Sequence, residues 1–229
     1  MENLLSKQIE DIVKEVIKNI EKEEKCGGCA ICQSREECSS DEVPVGVSNR
    51  HIHLSEADVE TLFGKGYQLT PFKDLSQPGQ YACKETLTIV GPSLRPIEGV
   101  RVLGPLRGTS QVEISTTDSY TLKVKPPVRE SGKIKDSAPI TIIGPKGVVE
   151  LKEGCIIANR HIHMSVEDGA RFGVKDNDTV TVDVEGKRPA RWFGVQVRVH
   201  PDFRLEMHVD TDDANAVGIG NGFKVKVVK

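Results

Sequence analysis

Two kinds of hydrophobic pattern divide the chain. In residues 2–24 apolar side chains recur every three or four positions between charged ones, at Leu5, Ile9, Ile12, Val13, Val16, Ile17 and Ile20. That spacing puts them on one face of a helix, so it predicts an amphipathic helix over residues 2–24. From residue 43 onward short runs rich in β-branched residues alternate with glycine and proline, which predicts a mainly β body.

The β-rich runs are predicted strands at residues 43–47, 85–90, 100–103, 111–115, 120–124, 140–143, 148–151, 179–184, 194–199, 204–209 and 223–227. Strands so short and so frequent are typical of β-barrels or β-sandwiches. Helices are predicted only near 55–63 and 165–172, each beginning at a serine suited to an N-cap, and over a third short segment at 212–217.

The segment between the N-terminal helix and the β body is polar and has no helical or strand period, so residues 25–42 are predicted to be a flexible linker. Two interpretations of the helix stay open. It either docks on its own body, or its apolar face binds another protein or other copies of the chain in a homo-oligomer, and its detachable position favours the second. The nearly balanced charges on its polar face disfavour binding to a membrane surface.

Composition narrows the class of protein. The chain has 229 residues, 37% hydrophobic residues and a formal net charge of −3, as expected for a globular protein with one or two cores. That charge does not favour nucleic acid as a partner. No apolar run is long enough to predict a membrane span or a secretory signal, so a cytoplasmic location is expected.

Six cysteines fall into two groups. Four lie close together in the linker, at Cys26, Cys29, Cys32 and Cys38. Their spacing suits a Zn²⁺ ion or an iron–sulfur cluster, and reduced linker thiols are the alternative. Cys83 and Cys155 are isolated in apolar segments and are predicted to be buried small side chains rather than nucleophiles.

The pentapeptide Asn-Arg-His-Ile-His occurs twice, at 49–53 and at 159–163, and its two copies hold four of the six histidines. In an extended segment alternate side chains share a face, so His51 and His53 project together with their Cα atoms roughly 6 to 7 Å apart. A single His-x-His is more often a pair of exposed strand histidines. Its duplication in similar flanks favours two related units, in which His51, His53, His161 and His163 bind metal.

Three further residues are candidates for the same chemistry. Strand alternation separates His208 from Met207 and Val209, and separates Glu113 from its apolar neighbours, so both can face a site rather than a core. Arg107 lies in a loop between small residues, where a guanidinium can hold a phosphate or carboxylate. An ordinary surface role for each of the three remains the alternative.

Five segments of the chain resemble a known family. Residues 45–55, 74–80, 101–107, 159–165 and 206–212 are similar to the phosphate propanoyltransferases, the phosphotransacylases of bacterial microcompartments. The resemblance extends from about residue 43 to the C-terminus. One basic position of the family, in the loop after Gly91 and Pro92, has no clean match here.

The resemblance implies reversible transfer of an acyl group between coenzyme A and inorganic phosphate with two zinc ions per chain. It assigns His51, His53 and Glu113 to one zinc, His161, His163 and His208 to the other, and Arg107 to phosphate. The positions that it assigns to coenzyme A are Val47, Ser48, Asn49, Arg101 and Asn215.

The fold that the resemblance implies is two β-barrels capped by short helices. Residues 43–50 and 159–229 are expected to form one barrel and residues 51–158 the other. Residues 1–24 resemble the N-terminal extension by which encapsulated members reach the lumen of the microcompartment, where shell or cargo proteins would be their partners. The cysteines of residues 25–42 do not match the family pattern.

The chemistry that fits these residues is direct attack of phosphate on an acyl thioester. The main alternative is a metal-dependent thioester hydrolase, in which the paired histidines activate water. A second alternative is a non-enzymatic scaffold that recruits partners through its helix.

Overall fold

The computed structural model describes residues 41–228, which form a mainly β body. Its fourteen strands are β1 Glu42–Ser48, β2 His51–His53, β3 Pro71–Asp74, β4 Tyr81–Val90, β5 Pro96–Gly104, β6 Gln111–Glu113, β7 Val128–Arg129, β8 Ala138–Ile143, β9 Val148–Ala158, β10 His161–Met164, β11 Thr179–Val184, β12 Ala190–Val199, β13 Glu206–Asp210 and β14 Lys224–Val228. Its four helices are α1 Glu56–Phe63, α2 Thr116–Leu122, α3 Val166–Phe172 and α4 Thr211–Val217. None of these helices is long and apolar enough to cross a membrane.

Twelve of these fourteen strands close into two six-stranded barrels, and the short strands β3 and β7 pair with β4 and β9 outside the rings. In the C-terminal barrel the order around the ring is β1, β13, β10, β12, β11 and β14. In the central barrel β2 pairs with β5, β5 with β4, β4 with β8, β8 with β9, β9 with β6, and β6 with β2. The mainly β class and the two barrels with short helices are thereby confirmed.

The first strand of the described chain belongs to the barrel built from the last strands. β1 runs parallel to β13 and antiparallel to β14. The chain then enters the central barrel at β2 and returns at β10. Both crossings pass through a copy of Asn-Arg-His-Ile-His, so the two histidine pairs lie where the barrels are joined.

Each barrel has its own apolar core, formed by the inward-facing residues of its strands. In the central barrel the core includes Ile52, Ile89, Val102 and Val112, and in the C-terminal barrel Ile162, Val182, Val197, Met207 and Val225. Ile52 and Ile162 stand between the two histidines of each pair. Their burial forces the histidines to the opposite face of the strand.

Three predicted helices are confirmed, and each begins at a side-chain N-cap. Ser55, Ser165 and Asp210 accept a hydrogen bond from the backbone N–H three residues later, which satisfies a donor that the first turn leaves free. These caps follow the metal-ligand candidates by two residues, so a histidine-bearing strand leads directly into each helix.

The strand predicted at 120–124 was wrong, because this segment lies largely in α2. Ser115 and Asp118 form a capping box that starts the helix, with each side chain bonding the other residue's backbone N–H. Ser119 and Leu122 are buried and Tyr120 is exposed, which is a helical rather than an alternating pattern. Local capping therefore outweighs the β-branched composition that favoured a strand.

The N-terminal predictions lie outside the described residues. They comprise the amphipathic helix over 2–24, the linker up to residue 40 and the cysteine cluster at Cys26, Cys29, Cys32 and Cys38.

Candidate metal centres and anion cavity

The first group of candidate ligands lies on two adjacent strands of the central barrel. β2 carries His51 and His53, and β6 carries Glu113 directly opposite His51 in the antiparallel register. Glu113 Oε2 lies 3.4 Å from His51 Nε2, and Glu113 Oε1 lies 3.9 Å from His53 Nε2. All three side chains are buried, and we call them the first triad.

The second triad repeats this arrangement in the C-terminal barrel. His161 and His163 lie on β10, and β13 places His208 directly opposite His161. The Nε2 atoms of His161 and His163 are 3.1 Å apart. The ring of His208 is centred 5.2 Å from that of His161 and 4.7 Å from that of His163.

The first histidine of each pair has the same orientation. His51 Nδ1 lies 2.8 Å from the backbone oxygen of Asn49, and His161 Nδ1 lies 2.8 Å from that of Asn159. A carbonyl oxygen only accepts hydrogen bonds, so each Nδ1 carries the proton and donates it. In the neutral ring, Nε2 then keeps its lone pair, as a metal-bound histidine requires.

The donor set and spacing of both triads fit a zinc ion. Tetrahedral zinc with bonds of about 2.0 to 2.1 Å separates its ligand atoms by about 3.3 Å. His161 Nε2 and His163 Nε2 are 3.1 Å apart, and His51 Nε2 and Glu113 Oε2 are 3.4 Å apart, both close to this value. The 3.9 Å between His53 Nε2 and Glu113 Oε1 is somewhat longer. Within the described chain, Nδ1 of His53 and of His163 are buried without a hydrogen-bond partner. Nε2 of each ring is the atom that faces the other ligands of its triad.

Electrostatics keeps most of these imidazoles neutral at pH 7. Burial lowers the pKa of His53 to about 3, of His161 to about 4 and of His163 to about 2, and neighbouring histidines add to each shift. His51 differs, because Glu113 and the Asn49 carbonyl outweigh burial and raise its pKa. Burial opposes ionisation of Glu113, but His51 outweighs it and holds the pKa of this carboxyl below its usual range. Neutral imidazole and ionised carboxylate are the forms that bind metal.

Both triads open onto one cavity of about 530 Å³ between the barrels. Arg107 lines this cavity, and its Nη1 donates to Ser131 Oγ at 2.9 Å. Ser131 Oγ in turn donates to Glu113 Oε1 at 2.7 Å. The predicted anion-binding residue Arg107 is thus connected to the first triad through Ser131, which sequence reasoning missed.

Another arginine that lines the cavity, Arg198, was missed by sequence reasoning. Arg198 on β12 is paired in register with His163 on β10, which directs both side chains to the same face. Burial lowers the pKa of Arg107, Glu113 opposes this shift, and the charge of Arg198 adds to it. Two guanidinium groups therefore face the space between the triads. Only the pairing of β10 with β12, which the sequence does not reveal, could have identified Arg198.

Four of the five residues expected at coenzyme A line the cavity, namely Val47, Ser48, Asn49 and Arg101. Arg101 Nη1 donates to the carbonyl oxygens of Cys83 at 3.0 Å and Lys84 at 2.8 Å. Asn215 does not line the cavity and is exposed on α4. Asn221, which was not predicted, lines it and accepts a hydrogen bond from the Val47 N–H at 2.7 Å.

Neither isolated cysteine reaches the cavity. Cys83 and Cys155 are fully buried in the core of the central barrel. Burial raises the pKa of the Cys83 thiol to about 11 and that of the Cys155 thiol to about 12. Both thiols therefore stay protonated at neutral pH, and neither is an activated nucleophile.

Comparison with known proteins identifies close relatives of the chain. The family model described as phosphate propanoyltransferase matches residues 44–220. A phosphate propanoyltransferase of Lachnoclostridium phytofermentans is 58% identical over 186 residues, which cover 81% of this chain and 87% of the relative. One from Thermotoga maritima is 57% identical, with 81% and 88% covered. One from Clostridioides difficile is 44% identical over 100% of this chain and 99% of its own length.

Proposed function

The chain belongs to the phosphate propanoyltransferase family and is an acyltransferase, and from this premise we propose its reaction and mechanism. The proposed reaction converts a short-chain acyl-CoA, propanoyl-CoA or acetyl-CoA, and inorganic phosphate to acyl phosphate and coenzyme A, reversibly. The observation that carries the mechanism is that two metal-ligand triads, Arg107 and Arg198 all line one cavity.

Each triad is proposed to hold one zinc ion, so that the chain carries two. His51, His53 and Glu113 would bind the first, and His161, His163 and His208 the second. Three protein ligands leave a position open for substrate, which is the mark of a catalytic rather than a structural site. Bound zinc supplies a Lewis acid that polarises the thioester carbonyl and stabilises the leaving thiolate.

Phosphate is proposed to bind between Arg107 and Arg198. Two guanidinium groups offset the charge of a dianion and can hold two of its oxygens, which leaves a third oxygen for attack. Arg107 is held by a hydrogen bond to Ser131 at 2.9 Å, and Arg198 Nε forms a longer ion pair with Glu130 Oε1 at 3.8 Å. The arginines therefore hold the anion in place before reaction, rather than reorganising during it.

Coenzyme A is proposed to lie along the cavity wall formed by Val47, Ser48, Asn49 and Arg101. Asn215 would contact the outer part of the same molecule, because α4, which carries it, packs against β1. Coenzyme A is long enough to extend from a buried thiol to such an exposed residue.

Transfer is proposed to occur by direct attack, with both substrates bound at once. An oxygen of hydrogen phosphate forms a bond to the thioester carbonyl carbon, and the carbon–sulfur bond breaks. The released thiolate takes up the proton that the phosphate loses, which gives acyl phosphate and coenzyme A. A covalent acyl-enzyme would need an activated nucleophile at the cavity. The described chain offers none there in the form of cysteine, because Cys83 and Cys155 are buried in the core.

Product analysis tests the reaction and separates it from thioester hydrolysis. Purified protein is incubated with propanoyl-CoA, with or without phosphate, and acyl phosphate and free coenzyme A are measured. We expect the two products in equal amounts, and only when phosphate is present. Phosphate-independent loss of the thioester would instead favour the hydrolase. Exchange of labelled coenzyme A into propanoyl-CoA without phosphate would indicate an acyl-enzyme and contradict direct attack.

Residues 1–24 are proposed to direct the enzyme to the lumen of a bacterial microcompartment by binding a shell or cargo protein. The support is the amphipathic pattern of this segment and the resemblance of the chain to encapsulated enzymes. Deletion of these residues should abolish co-localisation with shell proteins and leave turnover unchanged. Unchanged localisation would contradict the proposal.

A further inference from the structure

The two triads are alike beyond their ligands, because the strands that supply Glu113 and His208 occupy equivalent positions in the two barrels. Gln111, Val112 and Glu113 on β6 correspond to Glu206, Met207 and His208 on β13. The register confirms the correspondence: Gln111 lies opposite His53, and Glu206 lies opposite His163. The residue two positions before the third ligand therefore shares its face of the strand in both barrels.

In both barrels this preceding residue hydrogen-bonds to the ligand itself. Gln111 Nε2 donates to Glu113 Oε1 at 2.6 Å. Glu206 Oε2 lies 2.6 Å from His208 Nε2, and since a carboxylate only accepts, the ring N–H donates to it. The direction of the bond is thus reversed between the copies: an amide donor serves a carboxylate ligand, and a carboxylate acceptor serves a histidine ligand.

Each of these two residues is itself held by a loop. Gln111 Oε1 accepts from the Gly132 N–H at 2.8 Å, and Gln111 Nε2 also contacts Ser131 Oγ at 3.0 Å. Glu206 accepts a hydrogen bond from Ser76 Oγ, in a loop of the central barrel. The neighbouring Gln77 is buried and bonds both backbone groups of Arg204, at 3.0 Å and 3.1 Å, which fixes this loop against the C-terminal barrel.

We infer that Gln111 and Glu206 are positioning residues, one for each metal site. Gln111 orients Glu113 by donating a hydrogen bond to it, and Glu206 orients His208 by accepting one from it. Gln111 leaves Glu113 Oε2 on the side of His51, and Glu206 selects the tautomer of His208 in which the other ring nitrogen keeps its lone pair. This inference rests on the proposed zinc sites. It adds that each site has its own partner and that the two partners are not interchangeable.

Zinc affinity, measured one site at a time, tests the inference. The background His161→Ala/His163→Ala keeps the first triad, and His51→Ala/His53→Ala keeps the second. In each background Zn²⁺ is titrated against a chromophoric chelator, for Gln111→Met and for Glu206→Met, which keep side-chain length but remove the hydrogen bond. We expect Gln111→Met to weaken zinc binding about 10- to 100-fold at the first triad only, and Glu206→Met to do so at the second only.

The isosteric exchanges give a sharper result. Glu206→Gln keeps an acceptor oxygen for His208 and should restore most of the affinity that Glu206→Met loses. Gln111→Glu replaces the donor by a second carboxylate beside Glu113 and should bind zinc no better than Gln111→Met. Co²⁺ can replace Zn²⁺ as a spectroscopic probe of the same sites. Its visible absorption at the first triad should change with substitutions of Gln111 only, and at the second triad with substitutions of Glu206 only.

Exposed positions provide matched controls for both exchanges. Gln68→Glu and Glu185→Gln make the same chemical changes at exposed residues outside the cavity and should leave both affinities unchanged. If the buried Gln111→Met variant does not fold, the Glu206→Met variant still tests the inference at the second triad, because the Glu206 side chain is 17% exposed. Equal loss at both triads, or unchanged affinity in a folded variant, would overturn the inference alone. Unsubstituted protein that binds no zinc would overturn the proposed zinc sites with it.

Discussion

The guanidinium of Arg50 forms a bidentate ion pair with the carboxylate of Asp118, with contacts of 2.8 Å from Nε and from a terminal nitrogen. Arg50 immediately precedes His51, and Asp118 lies in the first turn of α2, five residues after Glu113. The ion pair therefore ties the two strands of the first triad together from outside. The second copy has the same link, with Arg160 Nε 3.2 Å from Asp213 Oδ2 in α4.

Arg50→Ala should destabilise the protein more than Arg160→Ala. Asp118 is 6% exposed, so loss of Arg50 leaves a nearly buried carboxylate without its bidentate partner, at a cost of about 1 to 3 kcal/mol. Asp213 is 26% exposed and has a single contact with Arg160, so water can replace the arginine there. Urea unfolding of the two variants measures the difference. Equal unfolding midpoints would show that the two links are equivalent.

Alanine at one histidine of either triad should remove one zinc and most of the activity. His51→Ala and His161→Ala are each expected to reduce bound zinc from two to one per chain and to lower turnover at least about 100-fold, because both sites face the same cavity. Elemental analysis and the acyl phosphate assay measure the two effects. His200→Ala is the control, since His200 is exposed and belongs to neither triad. Full activity in either triad variant would contradict a catalytic role for that metal site.

Lysine at Arg107 or Arg198 should weaken the use of phosphate. Lysine keeps the charge but not the planar pair of donors, so we expect KM for phosphate to rise about tenfold or more, with a smaller change in KM for acyl-CoA. Steady-state kinetics with each substrate varied in turn provide the measurement. Arg188→Lys, at an exposed position outside the cavity, is the matched control. A rise in KM for acyl-CoA alone would place the anion of coenzyme A, rather than phosphate, between these arginines.

Metal-free protein should lose stability as the pH falls from about 6.5 toward 4. The pKa values of His53, His161 and His163 lie at about 3, 4 and 2, below the ordinary 6.5, so in this window the unfolded chain binds protons that the folded chain does not. Each such histidine contributes about 1.4 kcal/mol per pH unit when fully protonated in the unfolded chain. His51 acts in the opposite sense, because its pKa is raised. Urea unfolding after chelation, at pH 7, 6 and 5, measures the slope, and constant stability would contradict it.

The sequence predicts the position of the histidine pairs better than what surrounds them. Alternation around Ile52 and Ile162 places both pairs on one face, because a strand with one buried side admits a single register. The ion pair between Arg50 and Asp118 joins residues 68 positions apart, and Arg198 lies beside His163 only because β10 and β12 are paired. Such contacts depend on which strands lie side by side, and local patterns do not report this.

Only one part of the repeat can be recognised from the sequence. The two copies of Asn-Arg-His-Ile-His are identical, whereas Gln111-Val-Glu113 and Glu206-Met-His208 share no residue. The strand register and the matched hydrogen bonds show that these segments are equivalent, and a comparison of their residues does not. Helix α2 was mispredicted because Tyr120-Thr-Leu122 has strand-like composition, and the capping box that decides the structure lies upstream.

Gly46→Ala should disturb the second triad and spare the first. Gly46 on β1 is paired with His208 on β13, and a Cβ atom at Gly46 would lie 2.8 Å from Cδ of Glu206. The carboxylate must then move, although Ser76 and His208 hold it by hydrogen bonds. We expect zinc at the second triad to bind about tenfold more weakly or worse, and zinc at the first to be unaffected.

Chelator titration in the two single-triad backgrounds measures both affinities of the Gly46→Ala variant. Gly186→Ala is the control, because a Cβ there meets only Phe223 at an ordinary contact distance of 3.6 Å. Unchanged zinc binding at the second triad would mean that His208 keeps its orientation without Glu206 in place. A loss at both triads would mean that Gly46 acts on the packing of the two barrels as a whole, rather than on the one carboxylate that its missing side chain accommodates.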